Sequence, residues 1–223
     1  MIYVFDLDDT LYDELTYVKS GFLSVAEYLS MNFKVPEDEV FQLMWNTLKK
    51  QGRGNVFDIA LENYGIRTQM NIKRCLSIYR GHSPHITLLP DANLALSNLS
   101  TNKIYIVTDG NKIVQHNKLV ALDLYPRVKR CFITHRFGRR YSKPSPYCFH
   151  KISQIESCSP SDIVYIGDNP NKDFVGIKPF GFRTIQVLRG SYCNIRLSDE
   201  FHADAKVENL MDIFQIIEKW RVK

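Results

Sequence analysis

Residues 2–15 read IYVFDLDDTLYDEL, an apolar run that stops in closely spaced acids. The way Asp6 and Asp8 follow that run decides how the rest of the chain is read. In extended backbone, residues i and i+2 point the same way, so Asp6 and Asp8 share one side where the first strand ends, with Leu7 opposite. Ligands of open parallel sheets gather at the carboxyl ends of strands, so a site is expected there.

Four further apolar runs have strand character: KIYIV at 103–107, RCFIT at 130–134, DIVYI at 162–166 and RTIQV at 183–187. Near-continuous runs of this kind suit strands covered on both faces. Helical patterns separate them. One spans 91–99 with Leu94, Leu96 and Leu99 inward, and another spans 111–124 with Ile113, Val114, Val120, Ala121 and Leu124 inward. Pro144 and Pro146 open a helix holding Phe149 and Ile152, and 208–220 forms a last one. Repeated strand, helix, strand predicts an α/β fold, a doubly wound, Rossmann-like parallel sheet.

Residues 13–87 break the alternation, because they hold helical patterns and no convincing strand. Leu15, Val18, Phe22, Ala26, Leu29 and Phe33 form one face of a long helix. Pro36 starts a second, with Val40, Leu43, Met44 and Leu48 inward. QGRGN at 51–55 punctuates the next boundary, a third helix runs to Tyr64 with Gly65 as its stop, and a fourth covers Asn71 to Arg80. The expected organisation is a core of 1–12 and 88–223 with an all-helical insertion at 13–87. Aromatic residues Phe22, Tyr28, Phe33 and Trp45 are read as packing.

The chain of 223 residues is 44% hydrophobic and 24% charged, which excludes disordered and fibrous classes. Its net charge of +5 is scattered, so nucleic acid is not the expected partner and an anionic small molecule fits as well. Cys75, Cys131, Cys148, Cys158 and Cys193 form no CxxC pair and are odd in number, so they read as reduced. MIYVF is too short for a secretory segment and no window is long enough for a membrane helix, so no membrane is expected and the expected location is cytoplasmic.

Three more stretches follow predicted strands: IVTDGN at 106–111, KPSP at 143–146 and IGDNPNKD at 166–173. Carboxylates gathered in one site repel and need a cation. Oxygen ligands without a His or Cys cluster favour Mg²⁺ bridging to a phosphate. Thr108 can donate to such a phosphate and Lys143 can supply a positive charge.

In this order, FDLDDT, IVTDG, the lysine of KPSP and GDNPNKD resemble the four motifs of the haloacid dehalogenase superfamily, and the helical insertion resembles that family's cap domain. The resemblance implies that Asp6 is the nucleophile that becomes an aspartyl phosphate and that Asp8 is the general acid and base. It also implies Mg²⁺ held by Asp6, the backbone carbonyl of Asp8, Asp168 and Asp173, with Thr108, Lys143 and the amides near Asp109 and Gly110 on the phosphoryl oxygens. Family dehalogenases lack an acid at the position of Asp8, so phosphoryl chemistry is favoured.

The function so implied is hydrolysis of a small phosphomonoester such as a sugar phosphate or nucleotide. The alternatives are a sugar phosphomutase and a catalytically silent binding or regulatory protein. Asp173 has a second reading as a helix cap, the Asp109 side chain is expected to matter little, and Arg136, Arg139 and Arg140 are read as a solvated loop. Asp9 and Thr10 serve the turn. Arg53 resembles a specificity-loop residue, and His82 with His85 suit hinge or surface roles better than a metal.

Overall fold

The structure, a computed structural model, describes residues 1–195 and 197–221. The apolar runs become six parallel strands: β1 (Ile2–Phe5), β2 (Ile104–Thr108), β3 (Arg130–Ile133), β4 (Ile163–Gly167), β5 (Arg183–Val187) and β6 (Ala205–Val207). They lie in the order β3-β2-β1-β4-β5-β6. Strand order reverses between β1 and β4, which is where open α/β sheets place their ligands. Tyr3 pairs with Ile104 on one side and Val164 on the other. The amide of Asp6 donates to the Ile166 carbonyl at 2.8 Å, carrying the ladder up to the first acid.

Helices α5 (Pro90–Ser97), α6 (Lys112–Ala121), α7 (Tyr147–Glu156) and α8 (Ile213–Arg221) belong to the same unit. Ile2, Val4, Tyr105, Val107, Ile163 and Tyr165 share a core cluster with Cys148, Phe149 and Ile152 of α7. The alternate residues Tyr3, Phe5, Ile104, Ile106, Val164 and Ile166 are buried as well, so the sheet is covered on both faces. A side chain such as Phe149 contributes about 1.5–3 kcal/mol by leaving water.

Two helix faces differ from the reading of the sequence. On α6 the buried residues are Gln115, Lys118 and Leu119, whereas Ile113 and Val120 are 52% and 56% exposed. On α5 the buried residues are Ala92, Ala95 and Leu96, and Leu94 is exposed. The three-residue β6 was also not foreseen, because AKV is too short to show a pattern.

Residues Leu15–Ile86 form a second compact unit, distinct from Met1–Glu14 with the chain from Thr87 onward. Its helices are α1, which begins at Glu14 (Glu14–Phe33), α2 (Glu37–Gln51), α3 (Val56–Asn63) and α4 (Gln69–Gly81). Val18, Phe22, Val25, Ala26, Leu29, Val40, Met44, Ala60, Leu61 and Cys75 make its core. Leu15 is half exposed. Gly21 lets α1 approach α4 closely, since a Cβ there would lie 2.5 Å from the Tyr79 ring. Phe22 packs edge to face on Trp45, and Tyr28 does the same on Phe33. Among the described residues no helix is long and apolar enough to cross a membrane.

Candidate functional site

Past β1 the chain turns sharply. Asp9 adopts φ 52°, a left-handed conformation that Asp tolerates. The amide of Leu11 donates to the Leu7 carbonyl at 3.0 Å, and the Glu14 amide donates to Asp9 Oδ1 at 2.9 Å. Asp9 is thus occupied by the turn, as the sequence suggested.

Asp6, Asp168 and Asp173 converge, each offering a carboxylate oxygen within 4.8 Å of the others, and all three are buried. Lys143 enters this group with Nζ 2.9 Å from Asp6 Oδ2 and 2.8 Å from Asp173 Oδ1. It also donates to the Tyr165 hydroxyl at 2.8 Å. Burial pushes Asp6 up to about 6 despite the opposing pull of Lys143. Burial, then the charges of Asp6 and Asp173, push Asp168 up to about 9. Desolvation works against the Lys143 ammonium, but Asp173 and Asp6 outweigh it and hold the lysine charged.

The Asp173 carboxylate accepts from the Asn169 amide at 2.9 Å as well as from Lys143, and residues 173–177 form turns rather than an α-helix. Its carboxylate turns back into the cluster, and the helix-capping alternative falls.

Asp8 stands apart from this cluster with its own donors. Tyr12 Oη donates to Oδ1 at 2.5 Å, Lys118 Nζ to Oδ1 at 2.6 Å, and Gln115 Nε2 to Oδ2 at 2.8 Å. Burial acts to raise its pKa, but Lys118 and these hydrogen bonds prevail and hold the carboxyl below its ordinary range. Tyr12, Gln115 and Lys118 were missed in the sequence. Only the spacing of Gln115 and Lys118, three apart on one helix face, signalled the helical pair, and no pattern marked Tyr12.

Thr108, at the end of β2, is fully buried and accepts from Gln115 Nε2 at 2.5 Å. Gly110 has φ 133°, and a Cβ there would lie 3.3 Å from the Gln115 side chain, so glycine both fits the backbone and leaves room for that amide. Asn111 caps α6 through the Ile113 amide at 2.9 Å.

The Asp109 side chain is far from idle. Its Oδ1 accepts from the Thr134 hydroxyl at 2.6 Å and from the Lys143 amide at 3.1 Å, tying the end of β2 to the turn after β3 and to the loop that carries Lys143. The earlier expectation is corrected: Thr134 offers a hydroxyl that sequence reading could not place beside it. Arg136, Arg139 and Arg140 are exposed, in keeping with a solvated loop.

Within the helical unit, Arg53 is exposed on the turn between α2 and α3 and borders a cavity of about 200 Å³ floored by Val18, Phe22, Phe57, Ile72 and Leu76. His82 is buried with Nδ1 2.7 Å from the Tyr79 carbonyl oxygen, while His85 is exposed.

The chain is 26% identical over 230 aligned positions to the glyceraldehyde 3-phosphate phosphatase of Methanocaldococcus jannaschii, covering 96% of this chain and 95% of that protein. It is 27% identical to the phosphoserine phosphatase of Thermus thermophilus, over 73% of this chain and 64% of that protein. Among solved structures, the 2-haloacid dehalogenase of Pseudomonas syringae superposes with a TM-score of 0.67 at 20% identity, covering 99% of this chain and 100% of that one. The fold is therefore shared with these structures. The model of the family described as haloacid dehalogenase-like hydrolase matches residues 3–187, through every strand that carries the acidic cluster, and the chain belongs to that family.

Proposed function

We propose that this protein is a Mg²⁺-dependent phosphatase of small phosphomonoesters that works through a phosphorylated Asp6. The observation that carries the reading is the buried group of Asp6, Asp168 and Asp173 around Lys143, with Asp8 held separately by three donors. The relatives that the chain matches over most of its length are phosphatases by name. The presence of Asp8 favours phosphoryl transfer over dehalogenation.

The donor set fits a divalent cation. Three ionised carboxylates around one ammonium leave a local charge of about −2, which buried surroundings disfavour strongly, and all three donors are oxygen. Asp6, Asp168 and Asp173 would hold the ion, with the backbone carbonyl of Asp8. When bound, Mg²⁺ supplies charge neutralisation at the phosphoryl oxygens and at the attacking carboxylate.

The residues of the chain do the rest. A carboxylate oxygen of Asp6 attacks phosphorus while the bond to the alcohol oxygen breaks; Asp8, ionised in the free protein, takes up a proton when the substrate's negative charge arrives beside it and passes it to that oxygen. Water then attacks the aspartyl phosphate, Asp8 takes its proton, and the phosphorus–Asp6 bond opens to release phosphate. Lys143, beside the nucleophile, and Thr108, at the end of the neighbouring strand, hold phosphoryl oxygens together with amides near Asp109 and Gly110. Asp109 fixes the Lys143 loop through its backbone.

The helical unit is read as a cap that selects the substrate, with Arg53 as a contact for an anionic or polar group. Three-carbon phosphomonoesters, the class named for the relatives, are the first candidates. All five cysteines are free, which suits a reducing compartment such as the cytoplasm.

The test is phosphate release from a panel of sugar phosphates, nucleotides, glyceraldehyde 3-phosphate and phosphoserine, with Mg²⁺ or with EDTA. At least one substrate should be hydrolysed only with the metal, and Asp6→Asn should abolish it. Undiminished release by that variant refutes the nucleophile. Isomerisation of a sugar phosphate without net phosphate release would instead identify a mutase.

A further inference from the structure

Helix α6 buries a lysine and a glutamine and leaves Ile113 and Val120 in water. That inversion costs apolar burial, and both buried polar residues meet at the Asp8 carboxylate. Lys118 is 3% exposed in the middle of the helix, with Nζ 2.6 Å from Oδ1. A second acid, Glu14, lies 3.8 Å from the same ammonium. Gln115, one turn earlier on the same face, spends one amide hydrogen on Oδ2 and the other on Thr108 Oγ1. An ionised Asp8 oxygen can only accept, which turns Nε2 rather than Oε1 toward it. Because Thr108 Oγ1 accepts there, its own hydroxyl hydrogen is left to donate to another group.

We propose that Lys118 and Gln115 are positioning residues, a two-point clamp that fixes the Asp8 carboxyl so that the one lone pair of Oδ2 left free by these donors carries the proton exchanged with the leaving group and then with the attacking water. The inference rests on the reading of Asp8 as the general acid. A carboxylate free to rotate about its side-chain torsions spends only part of its time facing the departing oxygen. One gripped on both oxygens from one rigid helix is already placed. Neither residue touches the reacting atoms; each acts through Asp8, and Gln115 acts also through Thr108.

The test compares kcat/KM for an alkyl phosphomonoester, whose alkoxide leaves only with a proton, and for p-nitrophenyl phosphate, whose phenolate leaves without one. Asp8→Asn sets the floor and should lower the alkyl-to-aryl ratio by about 10²-fold or more, the usual worth of a general acid. Lys118→Met, which keeps the buried stem, should lower the ratio by about tenfold, and Lys118→Arg should restore most of it. Gln115→Met should slow both substrates through Thr108 and the alkyl ester more. A ratio for Lys118→Met within about twofold of wild type, with both rates unchanged or falling together, overturns the clamp. A packing role would produce that pattern. If Lys118→Met does not fold, Gln115→Met decides on the same ratio. If Asp8→Asn leaves the ratio unchanged, the general-acid reading itself fails and the clamp falls with it.

Discussion

Replacing Lys143 with methionine tests the electrostatic core of the site. The side chain is 1% exposed and lies 2.9 Å from Asp6 and 2.8 Å from Asp173, and methionine keeps most of the stem volume while removing the charge. Deleting one partner of a buried ion pair leaves the other unpaired and costs about 3–5 kcal/mol. With a urea slope of about 2 kcal/mol/M, the midpoint should fall by about 1.5–2.5 M. Measurements belong in EDTA, so that no cation replaces the ammonium. The loss should also depend on pH. Asp6 sits at about 6 even with Lys143 as its main lowering influence, and removing that influence raises it further. Below pH 6 the Asp6 carboxyl is protonated with or without the lysine, and its share of the loss vanishes. At pH 8 wild-type Asp6 is ionised against Lys143 and the variant bears the full cost. Unfolding followed at pH 5 and pH 8 should show the larger loss at pH 8. A loss below about 1 kcal/mol at pH 8, or equal losses at both, would refute the argument.

Other expectations follow from the same geometry. Asp168 and Asp6 are raised to about 9 and about 6 in the metal-free chain, and a carboxyl raised on folding stabilises at low pH and loses that contribution as pH rises through its folded value. The melting temperature in EDTA should therefore fall between pH 6 and 9 and the gain on adding Mg²⁺ should grow; a gain independent of pH in a thermal-shift series would contradict this. Calorimetry in buffers of different ionisation enthalpy should show about one proton released per ion bound at pH 8. Gly110→Ala imposes a side chain at φ 133° and presses on Gln115; about 1–3 kcal/mol should be lost in urea unfolding, with slower phosphate release. Thr134→Val keeps the shape and removes the donor to Asp109, so about 1–3 kcal/mol should go, and unchanged stability would show that Asp109 does not tie the loops together.

What the sequence revealed, and where it misled, divides along one physical line. Strands β1 to β5 were legible within a residue because a strand buried on both faces has no choice but to be apolar. Asp6 was legible because it closes an apolar run with a second acid two residues on, whereas Asp168 and Asp173 were reached through the likeness of GDNPNKD to a family motif. The face of α6 was misread because counting apolar residues assumes that a helix turns them inward, and this one turns Gln115 and Lys118 inward to hold Asp8. Local pattern fails where a helix serves a site rather than a core. Asp109 failed for another reason: its partners Thr134 and Lys143 are distant in sequence and ordinary in kind.

The register of β1 also sets an order of assembly. Tyr3 pairs with Ile104 and with Val164, so β1 waits for partners that are synthesised much later than itself. The helical unit from Leu15 to Ile86 has its own core and can form from near neighbours meanwhile. Asp6 is thus made early, yet it acquires Lys143, Asp168 and Asp173 only when synthesis has passed β4. A chain stalled before Ile163 lacks Asp168 and Asp173, so the acidic centre cannot close until β4 and the turn after it have been made.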